Sequence, residues 1–504
     1  MHTFADPLRR AMQIAPQRTA IIDRGQHFTY ETFAERCERL AGALYGLGLE
    51  AGDRVAILSG NNHVYLETYV GVPASGLVVV PLNTRHAEPE LKYALEDSGT
   101  KVLITDRDVG ALADIVDTVV PVGDAYEALL SGAERRALGQ GITEDTLAGL
   151  FYTGGTTGLS KGVMLSHRNL ISNTFHWLTC VPQSFEDATL VMAPLFHAAG
   201  SNGVLASIWT GGLQITLDAF DPKEALDLIA EHKVSATLGV PTMLAAIAEE
   251  QAANPRDVSS VRAVAHGGSP IATEVVRRTA QAFPAAELIH VYGATELSPL
   301  TTGLRNEQNV LDSERARSCG QSIPGTDVRV LDTDGNEVPR REVCEVVVRG
   351  PNVMLGYWNK PEQTAAVLKD GAYWTGDLGY MDEDGYVYLV DRSKDMIVSG
   401  GENVYCTEVE EVIYKHEAVL EAAAFGVPDE RWGEAVHAVV VPRPEHSNLD
   451  PGDIIEFCKT QIAGYKVPKS VDIRQEPLPK SGPGKVLKRE LRAPYWEGQE
   501  RSVN

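Results

Sequence analysis

Residues 152 to 162 read YTGGTTGLSKG, a composition that could hold an anion. These eleven positions contain four glycines, four Thr or Ser hydroxyls and one lysine, Lys161. Glycines let backbone N–H groups approach a phosphate closely, hydroxyls add donors, and the lysine adds a positive charge. Gly162 follows Lys161, so the G-x-x-x-x-G-K-[ST] spacing of a Walker loop is absent. The stretch is predicted to be a phosphate loop of another type, with a flexible surface connection as the alternative.

Five more stretches with chemically active side chains follow it. They are GGSP (267–270), YGATE (292–296), YWTGDLGY (373–380), DRSKDMIVSGGENVY (391–405) and PKSGPGKVLKRELR (479–492). Their order and spacing resemble the acyl-adenylate-forming superfamily of acyl-CoA synthetases, peptide-synthetase adenylation domains and luciferases. The resemblance extends over nearly the whole chain, from TYETF near residue 29 to RELR near residue 492. It implies an enzyme that joins a carboxylic acid to AMP, releases pyrophosphate and then lets a nucleophile displace AMP.

The resemblance implies roles in ATP binding for the glycine-rich stretch and for YGATE. In the glycine-rich stretch, the residues expected to handle the β- and γ-phosphates are Thr153, Gly154, Gly155, Thr156, Thr157, Gly158 and Lys161. In YGATE, Tyr292 resembles the adenine-stacking aromatic and is followed by Gly293 and Ala294. Thr295 resembles a phosphate-contacting hydroxyl, and Glu296 resembles the carboxylate that coordinates Mg²⁺. The chemistry needs such groups because negative charge spreads over the α-phosphate and the leaving pyrophosphate in the transition state.

Two other stretches complete the expected nucleotide site. In GGSP, the residues Gly267, Gly268 and Ser269 resemble the loop that flanks adenine and the acyl pocket. Asp377 resembles the carboxylate that accepts hydrogen bonds from both ribose hydroxyls, and Arg392 resembles its companion. For Asp377, an ordinary turn-forming aspartate is the alternative.

A lysine near the end of the chain is expected to act in adenylation. Lys485 resembles the family's mobile lysine, which bridges the acyl carboxylate and the α-phosphate oxygens. The alternative is a solvated lysine, because the same basic run also contains Lys480, Lys488 and Arg489.

The resemblance also implies a moving C-terminal domain. Lys394 resembles the hinge residue about which that domain rotates between the two half-reactions. Rotation would withdraw Lys485 and bring the SGGENVY loop to the active site. Gly400 and Gly401 would then line a narrow tunnel for the pantetheine arm of coenzyme A. Trp432 is expected either to contact CoA or to serve in packing.

Two single residues have competing interpretations. His197, in PLFHAAG, is predicted to shape or gate the acyl pocket, and the alternative is a buried core histidine. Cys406 stands where relatives often have proline, and a structural thiol is favoured there over a reactive one.

Composition narrows the class of protein. The 504 residues carry a net charge of −24, which disfavours nucleic acid as a partner because phosphate backbones require clustered Lys and Arg. Six cysteines without a C-x-x-C spacing indicate free thiols, not a disulfide framework or a zinc site. The N-terminus lacks the apolar core of a signal peptide, and no stretch is typical of a transmembrane helix. A cytoplasmic location is therefore expected, and the oligomeric state stays open, with a homodimer as one alternative.

The hydrophobic pattern predicts an α/β fold in two parts. A large N-terminal domain, residues 1–391, is expected to contain layered α/β sheets and a β-rich subdomain at about 321–390, where DG and DGN turns separate short strands. Residues 392–395 are expected to form the hinge, and residues 396–504 a small, mobile α+β C-terminal domain.

The sequence thus predicts an AMP-forming carboxylic acid–CoA ligase that uses ATP, Mg²⁺ and coenzyme A. The expected pocket segments are small and apolar and offer no cation for a second carboxylate, which favours an apolar monocarboxylic acid. A fatty acid is preferred on family prevalence alone; an aryl acid of the benzoate or cinnamate type, or a free-standing enzyme that loads a carrier protein, are the alternatives. An amino-acid activator is disfavoured because VSATLGVPTML (234–244) contains no aspartate for the substrate ammonium. A non-catalytic relative is disfavoured because every expected catalytic position is filled, and nothing calls for a luciferase-like oxygenase.

Overall fold

The computed structural model describes residues 3–153, 160–268, 271, 273–392, 395–399, 402–429, 431–480 and 486–497. Its α-helices, in chain order, are α1 Ala5–Ile14, α2 Tyr30–Gly46, α3 His63–Ala74, α4 Glu88–Ser98, α5 Asp124–Ser131, α6 His167–Cys180, α7 Asn202–Thr210, α8 Pro222–His232, α9 Pro241–Ala253, α10 Thr273–Ala282, α11 Pro361–Val367, α12 Cys406–Ile413, α13 Pro451–Lys459 and α14 Lys488–Arg492.

The strands alternate with these helices over most of the chain. In chain order they are β1 Thr19–Asp23, β2 Gln26–Thr29, β3 Arg54–Leu58, β4 Val78–Pro81, β5 Thr100–Thr105, β6 Thr118–Pro121, β7 Leu147–Thr153, β8 Lys161–Ser166, β9 Ala188–Val191, β10 Leu213–Thr216, β11 Ala236–Gly239, β12 Ala263–Gly267, β13 Glu287–Tyr292, β14 Thr302–Leu304, β15 Gln321–Ser322, β16 Asp327–Leu331, β17 Cys344–Arg349, β18 Gly356–Tyr357, β19 Leu368–Lys369, β20 Ala372–Met381, β21 Val387–Arg392, β22 Ile397–Ser399, β23 Glu402–Val404, β24 Val419–Asp429, β25 Gly433–Pro442 and β26 Ser470–Ile473.

Local sequence explains where several helices begin. The side chain of Thr29 accepts a hydrogen bond from the Thr32 N–H at the start of α2. Ser166 caps α6 in the same way. Asp221 caps α8, and a proline follows it in the first turn, where no N–H is needed. These caps satisfy backbone donors that a helix start otherwise leaves without partners.

The chain divides into two compact units. The first comprises Met1–Val328 and Val348–Tyr373, and the second comprises Arg329–Val347 and Trp374–Asn504. The second unit therefore includes part of the β-rich region that the sequence analysis assigned to the N-terminal domain. The predicted hinge residue Lys394 lies outside the described residues, and the boundary at 392–395 stays a prediction.

A nine-stranded sheet forms one layer of the first unit, in the order β15-β14-β13-β12-β11-β9-β10-β1-β2. Strands β9 to β13 pair in parallel, as expected for alternating strands and helices. Alternate residues face opposite sides: Val264 packs in a cluster with residues of α8, α9 and α10, whereas Ala263 and Ala265 pack in a cluster with residues of α6 and α7. Helices therefore cover both faces of this sheet, which is typical of a buried parallel sheet.

A seven-stranded sheet forms a second layer, in the order β18-β8-β7-β4-β3-β5-β6. All four residues of β4 are buried, which explains its continuous apolar run, VVVP. At the other side of β4, strands β7 and β8 form an antiparallel pair. The sheet therefore changes from parallel to antiparallel beside the glycine-rich stretch.

The second unit is built from short strands and a small α+β sheet. A DGN turn closes a hairpin, where Asp332 N–H donates to the Asn336 carbonyl at 2.9 Å. Strands β20 and β21 form a second hairpin. The C-terminal strands follow the order β23-β22-β25-β24, with β26 parallel to β25, and residues of α12 and α13 share one apolar cluster with this sheet. These features confirm the predicted fold class, a mixed α/β protein with a large N-terminal and a smaller C-terminal part.

Within the described part of the chain, no helix is both long enough and apolar enough to cross a membrane.

Candidate active site

The predicted pocket segments follow strands that are neighbours in the nine-stranded sheet. Strands β9, β11, β12 and β13 run parallel, with Gly239 opposite His266 and Gly267 opposite Val291. Their carboxyl ends therefore meet at one edge of the sheet, where ligands bind in open α/β folds. The segments at this edge are PLFHAAG (194–200), GVPTML (239–244), GGSP and YGATE.

The glycine-rich stretch connects two antiparallel strands, whereas a Walker loop leads from a strand into a helix. Thr153 lies opposite Lys161 in the register of β7 and β8, so both ends of the connection are held side by side. A Cβ at Gly162 would lie 3.1 Å from the Tyr152 ring and 3.3 Å from Trp358 Cβ, so little space remains there. The residues expected to contact phosphate, Gly154 to Gly158, lie outside the described residues.

YGATE occupies the end of β13 and a single 3-10 turn, Thr295–Leu297. A Cβ at Gly293 would lie 1.7 Å from the Pro299 carbonyl oxygen, so no larger residue fits at that position. Ala294 is in extended backbone immediately before the turn. The turn holds Glu296 half-buried, and its Oε1 accepts a 2.8 Å hydrogen bond from the Tyr357 hydroxyl.

Tyr357 links two of the predicted site residues, Glu296 in the 3-10 turn and Lys161 at the start of β8. Its hydroxyl contacts Glu296, and Lys161 Nζ lies 4.6 Å from the centre of its ring, within the range of a cation–π interaction. Tyr357 was not predicted from the sequence as a site residue. The dipeptide GY at 356–357 was the only signal, and nothing local relates it to residues 161 and 296.

The loop predicted to flank adenine begins at a close contact between two strands. A Cβ at Gly267 would lie 2.3 Å from the Val291 carbonyl oxygen, and Gly268 has a φ of +81°, which favours glycine. Tyr292, the predicted adenine-stacking residue, is half-buried at the end of the adjacent strand. Ser269 lies outside the described residues.

A buried hydrogen bond between a histidine and a carboxylate lies one residue before this loop. His266 Nε2 is 2.5 Å from Glu307 Oε2, and the His290 ring stacks on His266 with 4.9 Å between centroids. Burial alone would raise the pKa of the Glu307 carboxyl, but the His266 hydrogen bond holds that pKa below its ordinary value. The pair anchors the strand end that carries Gly267.

The two residues predicted to contact ribose are paired in the backbone register of a hairpin of the second unit. Asp377 of β20 lies opposite Arg392 of β21 in the strand register. Asp377 is only 7% exposed, and its N–H donates to Thr375 Oγ1 at 3.0 Å. The preceding N–H, of Gly376, donates to Glu345 Oε1 at 2.8 Å. The backbone around Asp377 is therefore held in place by side chains of the same hairpin region.

His197 lies in the predicted acyl-pocket segment and is neutral at physiological pH. Burial, together with the charges of Arg85 and His86, lowers its pKa to about 4. Its Nε2 is buried and has no hydrogen-bond partner among the described residues. The pocket segments contain no cation, and Arg85 was not predicted to act near His197 because it belongs to a distant loop after β4.

In the second unit, two lysines of the C-terminal basic run form ion pairs. Lys488 Nζ lies 2.8 Å from Glu410 Oε1, and Lys480 pairs with Glu421. Arg489 is exposed. Both lysines are thus engaged in structural contacts, while Lys485 lies outside the described residues and its role stays a prediction.

The predicted CoA contacts are described only in part. Trp432 is 41% exposed at the turn between β24 and β25, and the guanidinium of Arg431 lies 4.5 Å from its ring centre. Gly400 and Gly401 lie outside the described residues. Cys406 is fully buried, which raises the pKa of its thiol well above the ordinary value, so the structure favours a structural thiol.

The donor set fits a magnesium ion that is held together with a nucleotide. Among the described residues, no group of three or more His, Cys, Asp or Glu side chains could bind a metal alone. Mg²⁺ in nucleotide sites is commonly bound by one or two carboxylates and by substrate phosphates. Glu296 is the carboxylate predicted for this role, and the hydrogen bond from Tyr357 occupies only its Oε1.

Comparisons with known proteins agree with this arrangement. A model of the AMP-binding enzyme family matches residues 8–358, and a model of the AMP-binding enzyme C-terminal domain matches residues 408–485. The chain is 41% identical over 491 residues to a feruloyl-CoA synthase from Amycolatopsis sp, covering 96% of this chain and 97% of that protein. It is 35% identical over 505 residues to the fatty acid–[acyl-carrier-protein] ligase ScoC from Streptomyces coeruleorubidus, covering 98% and 96%.

A solved structure shows the same fold with a nucleotide and a metal. The o-succinylbenzoate coenzyme A synthetase MenE from Bacillus subtilis, in complex with ATP and a magnesium ion, superimposes with a TM-score of 0.86 at 30% identity. The match covers 96% of this chain and 99% of that one. The chain therefore belongs to the AMP-binding enzyme family and is an AMP-forming acyl-CoA synthetase that uses ATP, Mg²⁺ and coenzyme A.

Proposed function

We propose that the preferred substrate is an aromatic monocarboxylic acid of the hydroxycinnamate type, which the enzyme converts to its CoA thioester. The observation that carries this proposal is the 41% identity to a feruloyl-CoA synthase, against 35% for the fatty acid relative, at nearly equal coverage. The preference for fatty acids in the sequence analysis depended only on family prevalence. The aryl acid named there as an alternative is the better supported choice.

The segments expected to form the acyl pocket, among them PLFHAAG (194–200) and GVPTML (239–244), are mostly small and apolar, which supports an apolar acid. Neutral His197 adds no charge to the pocket.

The proposed reaction has two steps. First, a carboxylate oxygen of the acid attacks the α-phosphorus of ATP, and the bond to pyrophosphate breaks. During this step Lys161 and Thr295 bind the phosphates, and Lys485 bridges the carboxylate and the α-phosphate. Asp377 and Arg392 hold the ribose. Glu296 would hold Mg²⁺, which when bound would supply positive charge to the phosphates. Second, the CoA thiol, as thiolate, attacks the acyl carbon, and AMP leaves.

The second step requires a different arrangement of the C-terminal domain. In this proposal residues 396–504 rotate about the hinge at 392–395, where Lys394 absorbs the backbone change. The rotation removes Lys485 and brings Gly400, Gly401 and Trp432 to the CoA thiol. One small domain thereby serves both half-reactions in turn.

A carrier protein is the second candidate for the acyl acceptor. The relative ScoC, at 35% identity over 98% of the chain, is named as a ligase that uses an acyl-carrier protein. Both acceptors end in the same phosphopantetheine thiol, so the chemistry of the second step is unchanged. Only a direct comparison of the two acceptors distinguishes them.

The test is a competition between acids. The protein is incubated with MgATP, CoA and equal concentrations of ferulate, cinnamate, benzoate, octanoate and hexadecanoate, and thioesters are measured by mass spectrometry. We expect AMP and a hydroxycinnamoyl or cinnamoyl thioester, with kcat/KM at least about tenfold above any fatty acid, because one well-matched pocket contact is worth roughly that factor. Dominant fatty acyl-CoA would refute the proposed substrate.

Two controls locate the activity and identify the acceptor. The variant Asp377→Asn should lose most thioester formation, since a neutral amide accepts only one strong hydrogen bond where the carboxylate accepts two. A parallel reaction replaces CoA with a phosphopantetheinylated carrier protein. If acyl-AMP is consumed only when the carrier protein is present, the carrier protein and not CoA is the acceptor.

A further inference from the structure

Tyr357 is held rigidly at the point where the phosphate-binding strand passes the metal-binding turn. It is 5% exposed and belongs to the two-residue strand β18, which pairs with β8 so that Tyr357 lies opposite Val163. Its N–H donates to Thr364 Oγ1 at 2.9 Å. The next residue, Trp358, donates its N–H to the Gly162 carbonyl at 2.8 Å. Backbone contacts on both sides therefore fix the direction of the Tyr357 side chain.

The side chain contacts two groups of opposite charge. Its hydroxyl donates to Glu296 Oε1 at 2.8 Å, while Lys161 Nζ lies 4.6 Å from the ring centre. Lys161 and Glu296, both of which the structure describes, do not form an ion pair with each other. The lysine lies over the ring and the glutamate contacts the hydroxyl, so the two charges would attract each other if the ring were removed. Direct pairing would withdraw the lysine from phosphate and the carboxylate from a metal.

We propose that Tyr357 is a positioning residue that holds Glu296 for Mg²⁺ and Lys161 for the ATP phosphates, and that prevents the two from pairing. This inference rests on the proposed roles of Glu296 and Lys161. The hydroxyl occupies Oε1 and thereby orients the carboxylate, so that Oε2 is presented to the ion. The ring face attracts the ammonium without neutralising it, so the lysine keeps its full charge for phosphate.

The test compares two variants that remove successive parts of the side chain. Tyr357→Phe removes the hydroxyl and keeps the ring, so the Mg²⁺ concentration for half-maximal pyrophosphate release should rise roughly tenfold, as expected for losing a hydrogen bond to a charged group. The KM for the acid should stay unchanged. Tyr357→Leu also removes the ring, and we expect the KM for ATP to rise as well because Lys161 can then pair with Glu296.

A binding measurement separates the positioning role from activity. Mn²⁺ is titrated into protein with ATP and without acid, and free Mn²⁺ is followed by its electron paramagnetic resonance signal. Tyr357→Phe should weaken Mn²⁺ binding by the same factor as it shifts the Mg²⁺ dependence. In a Glu296→Gln background, the change at residue 357 should have no further effect on Mn²⁺ binding.

Tyr126 provides a matched control. Its buried hydroxyl also donates to a carboxylate at 2.8 Å, that of Glu67. Tyr126→Phe should lower thermal stability without changing the dependence on Mg²⁺ or Mn²⁺.

If Tyr357→Phe does not fold, Thr364→Val provides a second variant. It loosens the backbone of Tyr357 without contacting either charge, and it should shift Mn²⁺ binding in the same direction by a smaller factor.

The outcomes are distinguishable. If the wild type releases pyrophosphate and Tyr357→Phe keeps its metal dependence, the positioning role is wrong while the proposed function stands. If the wild type is inactive with every acid but Tyr357→Phe weakens Mn²⁺ binding in the presence of ATP, the proposed substrate is wrong while the positioning role stands. If Tyr357→Phe shifts the Mg²⁺ and Mn²⁺ dependence no more than Tyr126→Phe does, only stability has changed and the inference is wrong.

Discussion

Helix α14 begins at Lys488, and a carboxylate from another helix holds its first side chain. Lys488 Nζ lies 2.8 Å from Glu410 Oε1, and the two side chains are only 17% and 16% exposed. The same Oε1 accepts a 2.7 Å hydrogen bond from the Ala424 N–H in β24. Burial alone would lower the pKa of Lys488, but the Glu410 carboxylate holds that pKa above its ordinary value. The pair therefore ties α12, β24 and α14 together just after the segment that contains Lys485.

Replacing Lys488 by methionine keeps an unbranched apolar side chain but leaves the carboxylate without its cation. Removing one partner of a buried ion pair destabilises a protein by about 3–5 kcal/mol. Because 16% of the Glu410 side chain stays exposed, water can partly solvate the carboxylate, and the expected loss is at the lower end, about 3 kcal/mol. Adding Glu410→Gln should restore most of this loss, since the amide removes the charge and still accepts the Ala424 N–H.

Hydrogen exchange followed by mass spectrometry measures the loss directly. A change of 3 kcal/mol corresponds to roughly 150-fold faster exchange for amides of α12 and β24 that exchange by opening of the second unit. Lys480→Met is the matched control: its pair with Glu421 is more exposed, at 28% and 18%, and should cost less than about 1 kcal/mol. The reasoning is refuted if Lys488→Met exchanges no faster than Lys480→Met, or if Glu410→Gln fails to restore protection.

Two further predictions concern the lysine of the first half-reaction and the buried histidines. Lys485→Ala should reduce pyrophosphate release by roughly a hundredfold or more, yet leave the attack of CoA on supplied acyl-AMP within a few-fold of wild type; equal losses would contradict the separate roles. Burial lowers the pKa of four histidines to about 4: His167, His176, His197 and His290. Between pH 6.5 and pH 4 these histidines bind protons in the unfolded chain but not in the folded one. The free energy of unfolding is therefore highest above pH 6.5 and falls towards pH 4 by about 1 kcal/mol per histidine and pH unit. Urea unfolding at pH 7, 6 and 5 checks this, and midpoints independent of pH would contradict it.

Much of the first unit could be predicted because its strands have an unambiguous pattern. The apolar run of β4 and the helical spacing of α2 are local properties that packing then confirms. The resemblance also assigned GGSP and YGATE to one site, and the parallel pairing of β11, β12 and β13, which the structure provides, shows that these stretches follow neighbouring strands.

The contacts between motifs could not be predicted, because they depend on residues far apart in the chain. Tyr357 is separated from Glu296 by 61 positions, and its contact with Lys161 depends on the pairing of β18 with β8. Arg85 influences His197 from a loop more than a hundred positions earlier. No periodicity or turn signal reports such tertiary contacts, and only the register of the sheets determines them.

The discontinuous second unit has a consequence for how the protein emerges from the ribosome. Residues 329–347 belong to the second unit, but the rest of that unit begins only at Trp374. The ribosome therefore synthesises Val348–Tyr373, which belong to the first unit, in between. At about 5–20 residues per second, this interval lasts roughly 1–5 s. During that time β17 lacks its neighbour β20 and exposes an unpaired edge that includes buried valines of the finished protein. Nascent chains of this protein therefore pass through a stage at which a chaperone that shields strand edges would have its greatest effect.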